Sequence, residues 1–596
     1  MNGSGSSAQR ERIPGHTNTI SEGTFMKKLM IGNEAVARGA YEAGVRVVSS
    51  YPGTPSTEIT EFCAKYPEMD CQWAPNEKVA VETSFGACMV GARALSCMKH
   101  VGVNVAADPL YTAAYTGVNA GLVIAAADDP FMHSSQNEQD TRMIARASHI
   151  PVLEPADSQE CLEYTKLAYE ISEQYDTPVF LRLTTRLAHS RSPVEVGERA
   201  ELPLKDYEKN PMKYVMMPGM ARKRHLAVEE REKKLAKDAG SLPVNRIEMR
   251  DTKLGVVCGG VVYQYVREAL PEASVLKLGL TYPLPEQMIR DFAGKVEKLV
   301  VIEELEPVFE RDIRNMGIEV SGKDKTGLQG ELSAAKIRQL FGGGAAAPVE
   351  PTLPGRPPVL CPGCPHRATF FAMKKLGLTV FGDIGCYTLC ALPPISLMDS
   401  TLCMGASVGM AHGAEKARGK EFSKKAVAVL GDSTFIHSGI TPLVDAVYGG
   451  ASTTTVILDN RITGMTGHQQ NAASGKNILG DPAPQLNLEA LCEAIGATVR
   501  VCDPHDLKQF TQILKEETEA DHVSVVIARR PCALLDKRKK EPAVIKDCRN
   551  CGACMKIGCP ALIKTDKGVV IDHTLCVGCG LCKQVCPFGA IQGGEE

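Results

Sequence analysis

Two stretches of this chain hold residues whose types and spacing suit chemistry. Near the C-terminus, Cys548-x2-Cys551-x2-Cys554-x4-Cys559-Pro is followed by Cys576-x2-Cys579-x2-Cys582-x3-Cys586-Pro. Thiolates spaced this way converge on a soft metal centre. Three of them plus a Cys-Pro, given twice, favour iron–sulfur ligation over a zinc knuckle. The second stretch reads Ala426-Val-Ala-Val-Leu-Gly431-Asp432-Ser433 and then Thr455-Val-Ile-Leu-Asp459-Asn460. Each half is a short apolar run ending in small and acidic residues, the way a buried parallel strand delivers ligands at its C-terminal end. A helix over roughly 439–449 completes a strand–helix–strand unit. A carboxylate at one strand end and a carboxamide at the next suit a hard cation that bridges phosphates. Taken alone, this pattern also fits two ordinary strand ends.

The elements that must position these residues belong to several domains. At 596 residues, three to five cores are expected. Hydrophobic residues make up 44% and charged residues 23%, and the net charge of −3 gives no broad basic footprint, so nucleic acid is excluded as a partner. No uninterrupted apolar run reaches the length of a membrane span. The first twenty or so residues are polar and Gly/Ser-rich without an apolar core, which reads as a flexible leader on a cytoplasmic protein. In that compartment the 22 cysteines point to metals or catalysis rather than disulfides.

Met26 to Val48 reads as a helix entering a strand that ends in Ser49-Ser-Tyr51-Pro-Gly-Thr54-Pro-Ser56-Thr57, with Ser56 or Thr57 as helix cap. Small hydroxyls at a strand-to-helix turn suit anionic ligands. Trp73-Ala-Pro-Asn-Glu77-Lys-Val-Ala-Val-Glu82-Thr-Ser-Phe-Gly86-Ala87 offers two helical glutamates. A polar loop over 133–146 after an apolar strand offers Arg142 and Arg146. Interleaved acids and bases over 206–250 indicate an exposed connector helix, and 345–358 is a stiff Pro-rich linker. Beyond it lie Cys361-Pro-Gly-Cys364-Pro-His366-Arg367, Gly382-Asp-Ile-Gly385-Cys386-Tyr and Arg530-Pro-Cys532, with Gly405-Ala406 opening a small-residue helix. The Cys361–Cys364 pair suits a redox couple, a zinc half-site or an iron–sulfur half-site.

Tyr51-Pro-Gly-Thr-Pro-Ser-Thr and the Glu77 segment resemble the pyrimidine-binding domain of the 2-oxoacid:ferredoxin oxidoreductases, which use thiamine diphosphate. Gly431-Asp432-Ser433 with Asn460 is similar to the thiamine diphosphate signature Gly-Asp-Gly…Asn, Ser433 replacing the second Gly. The resemblance implies that Glu77, nine residues before Gly86, activates the aminopyrimidine rather than Glu82. It implies that Thr54, Ser56, Gly385, Gly405, Ala406, Gly431 and Ser433 line the cofactor. Asp432, Asn460 and the carbonyl of Ile462 would hold Mg2+. Arg146 or Arg142 would clamp the oxoacid carboxylate, a bidentate task suited to guanidinium, and His437 would approach the substrate. A third [4Fe–4S] cluster would sit on Cys361, Cys364, Cys386 and Cys532. Here Cys390 and Cys403 are rival ligands, and Pro365-His366-Arg367 departs from the family pattern.

The C-terminal run resembles bacterial two-cluster ferredoxins, in which the fourth cysteine of each run ligates the other cluster. One cluster would then use Cys548, Cys551, Cys554 and Cys586, and the other Cys576, Cys579, Cys582 and Cys559. Over residues 26–593 the domain order resembles the alpha subunits of the indolepyruvate branch of this family. That implies oxidation of arylpyruvates (indolepyruvate, phenylpyruvate, 4-hydroxyphenylpyruvate) with coenzyme A to arylacetyl-CoA and CO2, with ferredoxin as electron acceptor. It also implies a beta subunit carrying a gamma-type domain in an α2β2 assembly. Another 2-oxoacid substrate, or an electron-transfer subunit with a vestigial thiamine site, stays open. The expected fold is α/β, with several parallel-sheet domains and a small α+β ferredoxin module. Its parts are a leader (1–25), a pyrimidine-binding domain (26–200), a charged connector (201–250), a transketolase C-terminal-like domain (251–342), a linker (343–358), a diphosphate-binding domain (359–538) and the two-cluster module (539–596).

Overall fold

A computed structural model of the chain describes residues 26–342, 357–536 and 541–594; the leader and all but the end of the Pro-rich linker lie outside them. Three α/β units and a small terminal module result. The first unit is a seven-stranded sheet in the spatial order Leu280–Tyr282, Val152–Leu153, Val179–Thr184, Leu122–Asp128, Ala94–Lys99, Val47–Ser50, Asp70–Trp73. Every neighbouring pair is parallel except the first. Leu122–Asp128 is buried along its whole length, which is why the sequence there is a continuous apolar run rather than an alternating one. Met26–Ile31, expected to be helical, is a strand instead and pairs antiparallel with Arg191–Val196; the helix begins at Gly32. The strand over 121–127 is followed not by one long loop but by a polar loop and a helix, Thr141–Ser148, capped by the Asp140 side chain.

The charged connector folds onto this unit as the helix Pro218–Asp238, with Val228 and Leu235 turned inward. Its Arg224 and the preceding Lys213 both bind the Asp176 carboxylate, at 2.9 and 2.8 Å. A second sheet has the order Leu299–Val301, Asp251–Gly259, Ala273–Leu278, Arg246–Glu248. The third has five parallel strands, Thr379–Phe381, Ala426–Gly431, Thr454–Asp459, Ser524–Arg529 and Thr498–Cys502. In the terminal module two short antiparallel ribbons frame the cysteine loops.

The first two units are joined by a buried ionic network, and it corrects one expectation. The guanidinium of Arg142, 2% exposed, donates to Asp140 at 2.9 and 2.6 Å, to Glu303 at 2.9 Å and to the Glu304 and Glu306 carbonyls at 3.0 and 3.2 Å. Arg182 ties Asp128 and Glu154 into the same cluster at 2.7 Å each. Buried in this interface among Asp140, Glu303 and two backbone carbonyls, Arg142 is not placed to hold a substrate carboxylate. Arg146 lies half-exposed on the same helix and pairs with Asp312. Neither arginine lines the cleft described below. The sequence allowed both readings because a clamp and a structural ion pair use the same side chain.

Beside this network, burial pushes the Glu304 carboxyl up to about 7, although it accepts a hydrogen bond from the Leu332 backbone N–H at 2.8 Å. A carboxyl whose folded pKa lies above its unfolded value stabilises the fold in its neutral form, fully so below about pH 4.5. That contribution fades as the pH rises toward 7 and amounts to roughly 3 kcal/mol over the interval. Glu304→Gln keeps the acceptor and removes the charge. Thermal melts should show the variant close to wild type at pH 5 and more stable than wild type at pH 8; equal melting at pH 8 would refute the assignment.

Candidate active site

The C-terminal ends of the first and third sheets face each other, and the side chains that close the gap come from distant parts of the chain. Tyr51 Oη lies 2.9 Å from Ser433 Oγ, and its ring meets the His437 imidazole edge-on at 4.7 Å. Asn76 Nδ2 donates to the His437 carbonyl at 3.0 Å, and Gln469 Nε2 donates to Glu61 at 2.7 Å. Between these contacts Glu77 Oε2 sits 2.8 Å from His437 Nε2, with Glu77 only 4% exposed.

Local folding explains why Glu77 is the buried glutamate. Asn76 caps the helix Glu77–Met89 by accepting from Val79 N at 2.9 Å, which fixes Glu77 as the first helical residue, pointing toward the sheet ends. Glu82 faces solvent on the same helix and pairs with Lys78. Gly102 makes room for the carboxylate: a Cβ there would stand 2.4 Å from Glu77 Oε1. No local motif marks Gly102. His437 lies on a π-helical turn, Phe435–Gly439, which widens the backbone as the strand passes into the helix Ile440–Tyr448.

On the third sheet, the Asp432 carboxylate accepts from Ser433 N at 2.6 Å and from Arg461 N at 2.8 Å. Asn460 Oδ1 faces Ile462 N at 3.3 Å, and Thr463 Oγ1 reaches Ser433 Oγ at 3.0 Å. Burial, with Asp459 nearby, pushes Asp432 up to about 7. A buried carboxylate with no side-chain cation paired to it among the described residues, beside a carboxamide, is a donor set that fits a hard divalent cation. Asp459 itself is held by Arg529 at 2.7 Å and Arg461 at 3.0 Å.

The glycines around this turn permit close approach. A Cβ on Gly405, whose φ is +86°, would meet the Ser438 backbone at 2.5 Å, and one on Gly385 would meet the Tyr387 ring at 2.4 Å. Gly431 also backs onto Tyr387, and Ala406 opens the helix Ala406–Arg418. That helix start is anchored by Asp383, which accepts from Gly405 N at 3.0 Å and Ser407 N at 3.1 Å. Asp383 and Tyr387 were missed in the sequence, although both sit in the Gly382–Tyr387 motif. Across the cleft, Thr54 precedes a cis proline. Ser56 does not cap the following helix: its hydroxyl donates to Gly53 O at 2.8 Å. Tyr51, Asp432, Ser433, Asn460 and Ile462 line one shared cavity with Gly385 and Cys386.

All 22 cysteines are free. Cys361, Cys364, Cys386 and Cys532 border a single groove next to that cavity. Burial pushes Cys364 up to about 12 and Cys386 to about 11, and neighbouring thiols add to this at Cys364, Cys386 and Cys532. Crowded buried thiols suit a bound metal centre that replaces their protons. Of the rival ligands, Cys390 is fully buried in the apolar core and Cys403 is exposed. In the terminal module Cys554 neighbours Cys548, Cys551 and Cys586, while Cys579 and Cys582 neighbour Cys559 and Cys576. Cys582 also neighbours Cys554 of the other run, so the two groups of thiols adjoin each other.

Comparison with known proteins bears on this arrangement. The family described as pyruvate flavodoxin/ferredoxin oxidoreductase, thiamine diP-binding, matches residues 38–252. Residues 383–528 match the thiamine pyrophosphate enzyme C-terminal TPP-binding domain, and 569–592 match a 4Fe-4S binding domain. The indolepyruvate oxidoreductase subunit IorA of Archaeoglobus fulgidus is 40% identical over 96% of this chain and 98% of its own length. IorA of Pyrococcus horikoshii is 39% identical over 96% of this chain and 97% of its own. A solved 2-oxoglutarate:ferredoxin oxidoreductase from Magnetococcus marinus is 16% identical, with a TM-score of 0.45 over 52% of this chain and 64% of that one. With thiamine-binding domains on both sides of the cleft and an iron–sulfur domain at the end, the chain belongs to the indolepyruvate oxidoreductase IorA family of thiamine diphosphate-dependent 2-oxoacid:ferredoxin oxidoreductases.

Proposed function

We propose that this chain oxidatively decarboxylates arylpyruvates to arylacetyl-CoA and CO2 and passes the electrons through its iron–sulfur centres to ferredoxin. One observation carries the reading: Tyr51, Asn76 and Glu77 of the first unit contact the Ser433–His437 segment of the third, next to a cavity lined by Tyr51, Asp432, Asn460 and Cys386. Bound thiamine diphosphate supplies a nucleophilic carbon for the keto group and a sink for the electrons left by CO2, and coenzyme A accepts the acyl group as a thioester.

The chain's own residues prepare that chemistry. Glu77, shut off from water, would hydrogen-bond the aminopyrimidine of the bound cofactor. His437 Nε2 orients the Glu77 carboxyl. Asp432, Asn460 and the Ile462 carbonyl would hold Mg2+, and the Tyr51–Ser433 contact keeps the two walls of the cleft together. Thr54 and Ser56 lie on the turn of the first unit that faces the cofactor. Cys361, Cys364, Cys386 and Cys532 would hold one cluster, and the two crossed sets in the terminal module would hold the others. The aryl preference is supported by the relatives, which are named indolepyruvate oxidoreductase subunits. The IorA relatives are named as subunits. A second subunit with a gamma-type domain, in an α2β2 assembly, would complete the enzyme.

Anaerobic assay with that partner, coenzyme A and a low-potential dye tests this reading. Indolepyruvate, phenylpyruvate and 4-hydroxyphenylpyruvate should be turned over well ahead of pyruvate and 2-oxoglutarate; preference for an aliphatic acid would refute the aryl assignment. Glu77→Gln should lower turnover by about 100-fold or more with its iron intact, and unchanged turnover would remove Glu77 from this role. Iron analysis should give about twelve atoms per chain, against about eight if the terminal module alone holds clusters.

A further inference from the structure

Arg367, in the Pro-His-Arg sequence that sets this Cys-x-x-Cys loop apart, is 3% exposed on the first turn of the helix His366–Leu376. Its guanidinium makes four hydrogen bonds, all to backbone carbonyls. Nε donates to Cys361 O at 3.1 Å and Nη2 to Leu360 O, both on the cysteine loop. Nη1 donates to Ile557 O at 3.2 Å and to Gly558 O, on the terminal module. Among the described residues no carboxylate lies within ion-pair distance of it. A buried cation without a counter-ion is costly, and neutral carbonyl dipoles offset part of that cost.

The surroundings suggest where the missing negative charge resides. Arg367 lines the same internal space as Cys559, Cys576, Cys579 and Cys582, and the Cys364 thiol feels its charge from the other side. The two loops pack so closely that a Cβ on Gly363 would stand 2.4 Å from Val577 and 3.6 Å from the Cys579 Cβ. A four-thiolate [4Fe–4S] centre is net negative when oxidised and more negative when reduced. A nearby fixed cation therefore favours the reduced state and raises the potential.

We propose that Arg367 is the counter-charge between the Cys361 loop and the Cys576 cluster. Its four hydrogen bonds pin the module against the cofactor domain, and its charge raises the potential of the cluster that receives the electron. The proposal rests on the cluster assignments above. The electron it concerns is the one released by the oxidation itself; the step adds one electron to the cluster and makes or breaks no bond.

EPR-monitored potentiometry and iron analysis of the holoenzyme with Arg367→Gln and Arg367→Lys test it. The Gln protein should keep its iron and show the Cys576 cluster shifted to lower potential, with the Lys protein close to wild type. A Gln protein that no longer assembles this cluster while the Lys protein does supports the same conclusion, since charge separates the two side chains. Gln and Lys proteins that behave alike, whether both at the wild-type potential or both lacking the cluster, would overturn it. The wild-type iron count stands apart from this comparison: about eight atoms would remove the Cys361 cluster and leave the Cys576 measurement valid.

Discussion

The structure depends on keeping a carboxylate out of water where two sheets meet. Glu77 lies at the start of a helix from the first sheet, and its partner His437 comes from a π-helical turn on the third. Burial of an ionisable group away from solvent is costly without a partner. The pair therefore works as a lock as well as a chemical group: it is satisfied when the two units are closed on each other. The Tyr51–Ser433 and Asn76–His437 contacts act in the same direction. Assembly of the fold and assembly of the cleft become one event.

The same economy extends to the sulfur ligands. The Cys361–Cys364 loop borders the cofactor cleft through its groove and, through Gly363, touches the Val577–Cys579 loop of the terminal module. Electron transfer needs proximity, and here proximity comes from backbone packing rather than from a long linker. The terminal module, about fifty residues, contributes Ile557, Leu562, Leu581 and Ile591 to the apolar core it shares with Phe370 and Met373 of the third unit. It is docked on the body of the protein, with Arg367 bridging the seam.

What could be read from the sequence was what local spacing encodes. The cysteine runs announce their metal because ligands three residues apart must share a centre, and Gly431-Asp432-Ser433 announces a strand end. Glu77 could be told from Glu82 through a motif, and the structure supplies the physical reason in the Asn76 cap and the Gly102 hollow. Long-range partnerships stayed hidden. Arg142 looked like a substrate clamp because its main acidic partner across the interface, Glu303, is 161 residues away. Met26–Ile31 looked helical because the strand that claims it, Arg191–Val196, lies at the far end of the first unit. Asp383 anchors a helix that begins 23 residues after it, at Ala406, a capping distance no local motif describes.

The edge of the first sheet is occupied by Leu280–Tyr282, a strand lent by the second unit, and it lies antiparallel against Val152–Leu153. A chain emerging from the ribosome therefore carries an unfinished sheet until these late residues arrive, with the hydrogen-bonding groups of Val152–Leu153 open to any passing strand. The boundary between the first two units is thus a seam in sequence but not in hydrogen bonding. A fragment cut near residue 250 would inherit a sticky margin, and its tendency to aggregate would reflect the loss of three borrowed residues rather than a weak core.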